Sequence, residues 1–198
     1  MGKGSNTRAL IIRTAMQVAS EVGLDGLTFG DLAKKLKMSK SGLFGHFGSR
    51  EELQLEVMAQ SLQEFGEVVV KPAMKQPRGI RRLRALFTGW LEEAALPCNC
   101  LLAGAAFEFE KKPGPVQDAV FSHYRTWQGF IEKATLLAVE EGELPADTDA
   151  EQIAFVTLGL VFATYVYRGL ETTEMVRERT TRSFEHMLQQ PPRLPAAR

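Results

Sequence analysis

The chain has 198 residues, 44% of them apolar, which suits a globular protein with a real core and argues against intrinsic disorder. Its 24 Lys and Arg residues balance its 24 Asp and Glu residues, but residues 1–50 hold eight basic and only three acidic residues, a net charge of +5. A basic N-terminal segment joined to an acidic remainder indicates that the segment binds a polyanion, although an ordinary solvated surface can have the same composition.

The N-terminus and the apolar runs predict a soluble, cytoplasmic protein. Met1–Ser5 is short and polar, and no apolar segment with a cleavage site follows it. The longest uncharged apolar run, Ile153–Tyr167, is shorter than the roughly 20 residues that a membrane span needs, so no membrane partner is expected.

The two cysteines, Cys98 and Cys100, are too few to form a disulfide framework. A pair at this spacing can sense oxidants or bind a soft metal, but a closed metal site needs two further ligands, and neither His123 nor His186 has a suitable spacing. Idle thiols are therefore the favoured interpretation, and no cofactor is expected.

Capping residues predict where the first helices begin and end. Residues 7–22 carry apolar side chains at spacings of three and four, and Gly23 ends that helix. Three helix starts follow, at the N-cap residues Thr28, Ser39 and Ser49, the first and last within capping boxes.

Proline and glycine divide the rest of the chain into further helices. The helix from Ser49 is predicted to run to Lys71, before Pro72. The other helices are predicted over Ile80–Ala95, Leu101–Glu110, Val116–Glu141, Ala150–Arg168 and Glu174–Gln189. The fold class is therefore all-α with about nine helices, followed by a proline-rich tail, residues 191–198, that is predicted to be disordered.

The most informative stretch is Leu27–Leu53, where two short helices flank the turn Leu36-Lys37-Met38. This arrangement predicts a helix-turn-helix, whose second helix enters the major groove of DNA with its N-terminal residues at the base edges. Those residues are small or cationic, so the backbone can approach the DNA and a lysine can reach a phosphate or a guanine: Ser39, Lys40, Ser41 and Gly42.

The same stretch resembles the DNA-binding domain of the TetR family of bacterial regulators. The matching positions are Thr28, Leu32, Ala33, Ser39, Leu43, His46, Phe47, Ser49 and Leu53. The resemblance implies a three-helix DNA-binding domain over residues 1–50 and a ligand-binding and dimerisation domain over residues 51–190. It implies a ligand-responsive repressor that binds a palindromic operator as a homodimer and responds to a small apolar effector.

The resemblance also implies roles for single residues. Thr28, His46 and Arg50 are expected to contact phosphates, beside the residues named above at the base edges, and Leu43 and Phe47 to pack the recognition helix. Three positions depart from the family pattern: Phe44 stands where the family has Tyr, Lys37 replaces the turn glycine, and Gly45 replaces a larger residue. Phe44 keeps the ring and is counted among the DNA contacts.

Two further sets of residues are predicted in the C-terminal part. Aromatic residues at helical spacing are mostly core, but some are expected to line an effector cavity between helices, with Phe87, Trp90, Phe107, Tyr124 and Trp127 as candidates.

The helix that contains Ile153–Tyr167 is apolar all round and must be covered on both sides, either within one subunit or by a partner. The resemblance implies that the last two helices pair with those of a second subunit. The predicted interface residues are Thr157, Leu158, Val161, Tyr165, Arg168 and Phe184.

No pattern of catalytic residues is present in the sequence, so an enzyme is not expected. The alternative function is a small-molecule-binding or thiol-based sensor whose N-terminal part serves a protein partner rather than DNA.

Overall fold

The computed structural model describes residues 3–95 and 101–195, so Cys98 and Cys100 lie outside the described residues. Within these ranges the chain forms α-helices, one π-helical segment and no named strand. The elements are α1 Lys3–Val22, α2 Phe29–Leu36, α3 Lys40–Phe44, α4 Arg50–Phe65, a π-helical segment Gly66–Val70, α5 Lys71–Met74, α6 Ile80–Ala95, α7 Leu101–Phe109, α8 Pro115–Glu140, α9 Ala150–Tyr167 and α10 Thr173–Gln189. The all-α prediction is confirmed. Because α4, the π-helical segment and α5 follow one another without a break, these elements form nine helices in the described chain, as predicted.

The predicted helix starts are confirmed by their capping bonds. The hydroxyl oxygen of Ser39 accepts a hydrogen bond from the N–H of Gly42 at 3.0 Å. The hydroxyl oxygen of Ser49 accepts one from the backbone N–H of Glu52 at 3.0 Å. The carboxylate of Asp149 accepts one from the backbone N–H of Gln152 at 2.9 Å. Each bond satisfies a backbone donor that the first turn of a helix leaves without a partner.

The helix that begins at Arg50 does not end before Pro72, as the sequence analysis predicted, but continues to Met74. Proline lacks the N–H that bonds four residues back, and its ring crowds that carbonyl. The chain changes register just before it: the N–H of Lys71 donates to the carbonyl of Gly66, a five-residue step. The wider π-helical turn lets the helix pass the proline.

The chain packs as two compact units. The first comprises the described part of Met1–Glu64 and of Cys98–His123, and therefore holds α1 to α4, α7 and the start of α8. The second comprises the described part of Phe65–Pro97 and of Tyr124–Arg198. This division differs from the domain boundary predicted near residue 50, because α4 as far as Glu64 and all of α7 pack with the N-terminal helices. Residue 50 remains a predicted limit of the DNA-binding segment.

The core of the first unit lies between α1 and the helix-turn-helix. Ile11 and Ala15 on α1 are fully buried, as are Leu32 on α2 and Leu43 on α3. α1 packs against α2, and α2 packs against α3. The two short helices α2 and α3 are therefore held by tertiary burial, since helices of this length are marginal on their own.

The core of the second unit is aromatic. The rings of Phe87 on α6 and Phe184 on α10 stack with centroids 3.8 Å apart and planes 5° apart. α6 also packs against α9, and the guanidinium of Arg168 donates to the carbonyl of Ala94 at 2.9 Å. These contacts fix the last two helices on α6.

The tail predicted to be disordered is bonded to the chain as far as Leu194. The N–H of Asp149 donates to the carbonyl of Pro192 and the N–H of Leu194 to that of Asp147, both at 2.8 Å. The order comes from backbone pairing with the loop before α9, which proline does not prevent because its carbonyl still accepts.

Helix α9, with 18 residues and a mean hydropathy of 1.4, is long and apolar enough by length and composition to cross a membrane. Length alone, the argument used in the sequence analysis, therefore does not exclude a membrane span at α9. A helix that packs between neighbours in a water-soluble protein meets the same criterion, and α9 packs against both α6 and α10.

Candidate nucleic-acid interface

The turn of the helix-turn-helix closes on Lys37, which has φ 53° and ψ 40° and is the only residue other than glycine with positive φ in the described chain. The N–H of Met38 donates to the carbonyl of Ala33 at 3.1 Å, which ends α2 as a glycine cap would. Lys37 thus keeps the turn that a glycine normally makes, at a backbone cost of about 1–2 kcal/mol for a residue with a Cβ.

Helix α3 has an inner and an outer face. Leu43 and the following Phe47 are fully buried, which agrees with their predicted packing role. Ser39, Lys40 and Ser41 are exposed, and Gly42 is half-buried. The residues predicted to meet base edges therefore lie on the outer face, where small side chains allow the backbone to approach a partner.

The side chain of Lys40 lies across the start of α2. Cε and Nζ of Lys40 lie 3.6 and 3.7 Å from the position of a Cβ added to Gly30, which is ordinary van der Waals contact with the start of α2. The ammonium group is thereby placed between the two helices of the motif.

Thr28 is exposed at the start of α2, where a phosphate contact was predicted. Its hydroxyl donates to the Asp31 carboxylate at 2.6 Å and accepts from the Asp31 N–H at 3.2 Å. Both hydrogen-bonding functions of the hydroxyl are thus engaged within the chain, and a carboxylate occupies the helix N-terminus that an anion would approach. A phosphate contact through the Thr28 hydroxyl requires its bond to the Asp31 carboxylate to open.

Phe44 leaves 51% of its surface exposed, while Phe29 beneath it is buried. The two ring centroids lie 4.4 Å apart with an interplanar angle of 37°. The ring at the predicted DNA contact is therefore supported from below, and its outer edge faces solvent.

Arg50 was predicted to contact a phosphate, but it also has partners in its own chain. Its Nε donates to the carbonyl of Leu27 at 2.9 Å, and its Nη2 lies 3.3 Å from the Asp25 carboxylate. The guanidinium thus fixes the loop between α1 and α2, and only part of it is available to another anion.

His46 is half-buried, and its carbonyl accepts a hydrogen bond from Arg8. Arg8 also lies 4.4 Å from the centroid of the Phe47 ring and 2.9 Å from the Glu56 carboxylate. Arg8 thus connects α1 to the end of the helix-turn-helix. Sequence reasoning missed this connection, because it joins residues 38 positions apart and leaves no local spacing signal.

The predicted effector residues do not come together as one set. Trp90, Tyr124 and Trp127 are buried in the second unit, with the two indole rings 4.7 Å apart. Phe87 stacks on Phe184 in the core, and Phe107 belongs to the first unit with 71% of its surface exposed.

Phe65 completes the aromatic cluster of the second unit, and sequence reasoning did not include it. Its ring meets those of Trp90 and Trp127 edge-on, at 6.0 and 5.1 Å. The buried indole Nε1 of Trp127 has no hydrogen-bond partner among the described residues.

Half of the predicted dimer interface is inside the subunit. Thr157, Val161 and Phe184 are fully buried within their own chain, because these side chains form the contact of α9 and α10 with the core. Leu158, Tyr165 and Arg168 are half-buried. The exposed apolar surface of these helices and of the turn between them consists of Phe155, Val166, Tyr167, Leu170 and Met175.

Two open grooves lie within the units. One, of about 260 Å³, is in the first unit and is lined by residues of α1, α4 and α7, among them Arg13, Glu64 and Leu101. The other, of about 230 Å³, lies between α9 and α10 and is lined in part by Ala163, Tyr167 and Arg179. No group of three or more potential ligands for a metal ion occurs in the described residues.

The solved structures that are similar to this chain include regulators of the TetR family. A TetR transcriptional regulator from Chloroflexus aurantiacus J-10-fl superposes with a TM-score of 0.87 at 20% identity, over 98% of this chain and 100% of that one. A TetR-family regulator from Streptomyces coelicolor gives 0.82 at 18% identity, over 94% and 96%. AibR, solved with isovaleryl coenzyme A and operator DNA, gives 0.72 at 21% identity, over 94% and 99%. At these identities the likeness shows the fold.

Family patterns extend the comparison to the sequence itself, although no curated protein sequence matches the chain. The pattern described as "Bacterial regulatory proteins, tetR family" matches residues 11–57, which include the whole helix-turn-helix. The pattern described as "Tetracyclin repressor-like, C-terminal domain" matches residues 79–184, more than half of the chain. The protein therefore belongs to the TetR family of bacterial transcriptional regulators.

Proposed function

We propose that this protein is a cytoplasmic, homodimeric repressor that binds a palindromic operator through α3 and releases it when a small, largely apolar effector binds the second unit. The observation that carries the proposal is that α3 and its flanking residues have two faces: Ser39, Lys40 and Ser41 are exposed, whereas Leu43 and Phe47 are buried. A recognition helix needs this division, because one face must lock it to the domain while the other remains open to the major groove.

The chemistry of the exposed face favours DNA. Lys40 can reach a phosphate or the acceptor atoms of guanine, and Ser39 and Ser41 can bond either phosphates or bases. The net charge of +5 over residues 1–50 adds an attraction that does not depend on sequence. The other proposed contacts are His46, the free part of the Arg50 guanidinium, the Gly42 backbone, the outer edge of Phe44 and, once its bond to Asp31 opens, the Thr28 hydroxyl.

A homodimer presents two copies of α3 to half-sites about 34–36 Å apart, or a multiple of that spacing, which is why the operator should be palindromic. The exposed apolar residues of α9, chiefly Phe155 and Val166, support a two-fold interface on this helix. Large apolar side chains in one row are otherwise an unfavourable surface in water.

The aromatic cluster of Phe65, Trp90 and Trp127 supports an effector site in the second unit. The Trp127 indole N–H lacks a partner among the described residues, and a buried donor of this kind favours a ligand with a hydrogen-bond acceptor. The effector can release DNA only to the extent that it prefers the conformation that does not bind DNA, typically by ~1–3 kcal/mol.

The test is binding to a duplex that the wild-type protein itself selects from a random DNA pool. Lys40→Ala should weaken binding about tenfold or more, and the slope of log K against log salt should fall by about one for each lost phosphate contact. Lys34→Ala removes the same charge from an exposed site on α2 and is the matched control, with an expected change of less than about threefold. Equal binding by the wild type and Lys40→Ala would refute the role of α3.

A further inference from the structure

The carboxylate of Asp25, in the loop between α1 and α2, is shared by two cations. The ammonium of Lys112, just after α7, lies 2.6 Å from Oδ2, and the guanidinium of Arg50 lies 3.3 Å from Oδ1. All three residues belong to the first unit. The hydrogen bond from Lys112 is the largest cause that lowers the pKa of Asp25, ahead of the contribution of Arg50. Lys112 is thus the stronger partner of this carboxylate.

The same loop is held to α7 by a second contact. The N–H of Asp25 donates to the Glu108 carboxylate at 2.7 Å. Glu108 is on α7, and Lys112 follows three residues after its last residue, Phe109. A shift of the end of α7 therefore acts on the loop and on the partner of Asp25 together.

One nitrogen of the Arg50 guanidinium is anchored, and another can exchange its partner. Its Nε bond to the carbonyl of Leu27 anchors the guanidinium at the start of α4, while its Nη2 reaches Asp25 at the longer distance. A carboxylate that is neutralised by Lys112 holds Arg50 less strongly than a carboxylate with no other cation. The occupancy of Asp25 by Lys112 thus sets how firmly Arg50 is retained within the protein.

We infer that Lys112 is a positioning residue for operator binding: by pairing with Asp25 it leaves the Arg50 guanidinium available to an operator phosphate. The inference rests on the proposed function, since it takes Arg50 as a phosphate contact. Lys112 itself needs no contact with DNA. When the ion pair between Lys112 and Asp25 is lost, Asp25 competes with the phosphate for Arg50, and DNA binding weakens.

The first arm of the test compares two neighbouring lysines on the duplex selected by the wild-type protein. Lys112→Met is expected to weaken binding about three- to fivefold, a range limited by the partial exposure of the three groups. Lys111→Met removes the same charge from an exposed side chain with no ion pair among the described residues, and it should bind within about twofold of the wild type. Thermal unfolding of both variants checks that the fold is kept.

The second arm repeats Lys112→Met in an Asp25→Asn background. Asparagine keeps the backbone bond to Glu108 but has no charge with which to retain Arg50, so the loss caused by Lys112→Met should disappear. An equal loss in both backgrounds would mean a direct or purely structural role of Lys112 and would overturn the inference. Unchanged binding of Lys112→Met in the native background overturns it as well. A wild type that selects no duplex overturns the proposed function and this inference with it.

Discussion

The carboxylate of Glu108 fills the space beside Gly23 that a side chain there would need. A Cβ added to Gly23 would lie 2.9 Å from Cδ of Glu108, and the glycine itself has φ +82°. Glu108 cannot move aside freely, because it accepts the N–H of Asp25 at 2.7 Å. The close approach of α7 to the loop after α1 therefore depends on the absence of a side chain at one position.

Gly23→Ala is expected to destabilise the protein by about 2 kcal/mol in urea unfolding, from the left-handed backbone and the weakened Asp25–Glu108 bond. Gly129→Ala is the matched control, since Gly129 lies within helix α8 with no atom within 4 Å of an added Cβ. It should stabilise the protein by about 0.5–1 kcal/mol through helix propensity. Equal stability of Gly23→Ala and the wild type would contradict this account of the contact.

The local elements of this fold follow from nearby residues, and so the sequence predicts them. Ser39, Ser49 and Asp149 mark helix starts because each cap bonds an N–H only three residues away. The site is less predictable where it depends on distant partners. Nothing near Asp25 or Lys112 in the sequence shows that residues 87 positions apart pair.

Helix α9 shows a second limit of sequence reasoning. Because the helix is apolar all round, periodicity cannot tell which stripe faces its own core. The structure places Thr157 and Val161 inside and Phe155 and Val166 outside, whereas the sequence analysis assigned the first pair to the interface. Similarly, the aromatic character of Phe107 does not reveal its exposure.

Phe44→Tyr should strengthen operator binding about two- to tenfold, as one added hydrogen bond to a phosphate would. The ring of Phe44 is half exposed and rests on Phe29, so a hydroxyl at its outer edge reaches solvent or DNA without disturbing the core. Phe29→Tyr adds the same atom to a ring that is only 7% exposed and should lower stability without a gain in affinity. Mobility-shift titrations with the selected duplex measure the affinities of both variants. Weaker binding by Phe44→Tyr would argue against a phosphate at this edge.

Burial lowers the pKa of His123, on α8, to about 4. The unfolded chain takes up a proton at this residue as the pH falls through about 6.5, while the folded protein does so only near pH 4. Above about pH 7 the residue is neutral in both states and costs no stability. As the pH falls from about 6.5 to about 4, the free energy of unfolding should decrease by about 2–3 kcal/mol.

His123→Gln tests this pH dependence because glutamine cannot titrate in this range. The difference in unfolding free energy between wild type and variant should shift by about 2–3 kcal/mol in favour of the variant between pH 7.5 and pH 4.5. Urea unfolding at closely spaced pH values measures it. A difference that stays constant with pH would show that His123 takes up its proton equally in both states.

The outer stripe of α9 should hold the dimer together. Phe155 and Val166 lie about three helical turns apart on the same face, with 68% and 67% of their surfaces exposed in the single subunit. A carboxylate on this stripe would be buried without a partner in a dimer but solvated in a monomer. Phe155→Glu and Val166→Glu are therefore expected to give folded monomers in sedimentation experiments at micromolar concentration. They should also lose tight operator binding, since a single α3 reads only one half-site.

Two further variants separate an interface effect from a folding effect. Thr157→Glu places the same charge on the inner stripe, where Thr157 is fully buried and bonds the carbonyl of Ile153, and it should unfold the chain rather than yield monomers. Leu136→Glu adds the charge to an apolar residue of α8 that is 51% exposed, and it should leave the dimer intact. If Phe155→Glu and Val166→Glu remain dimeric while folded, the subunits meet through another surface. The half-site spacing would then have to be derived from that surface, because the distance between the two copies of α3 is set by where the subunits join.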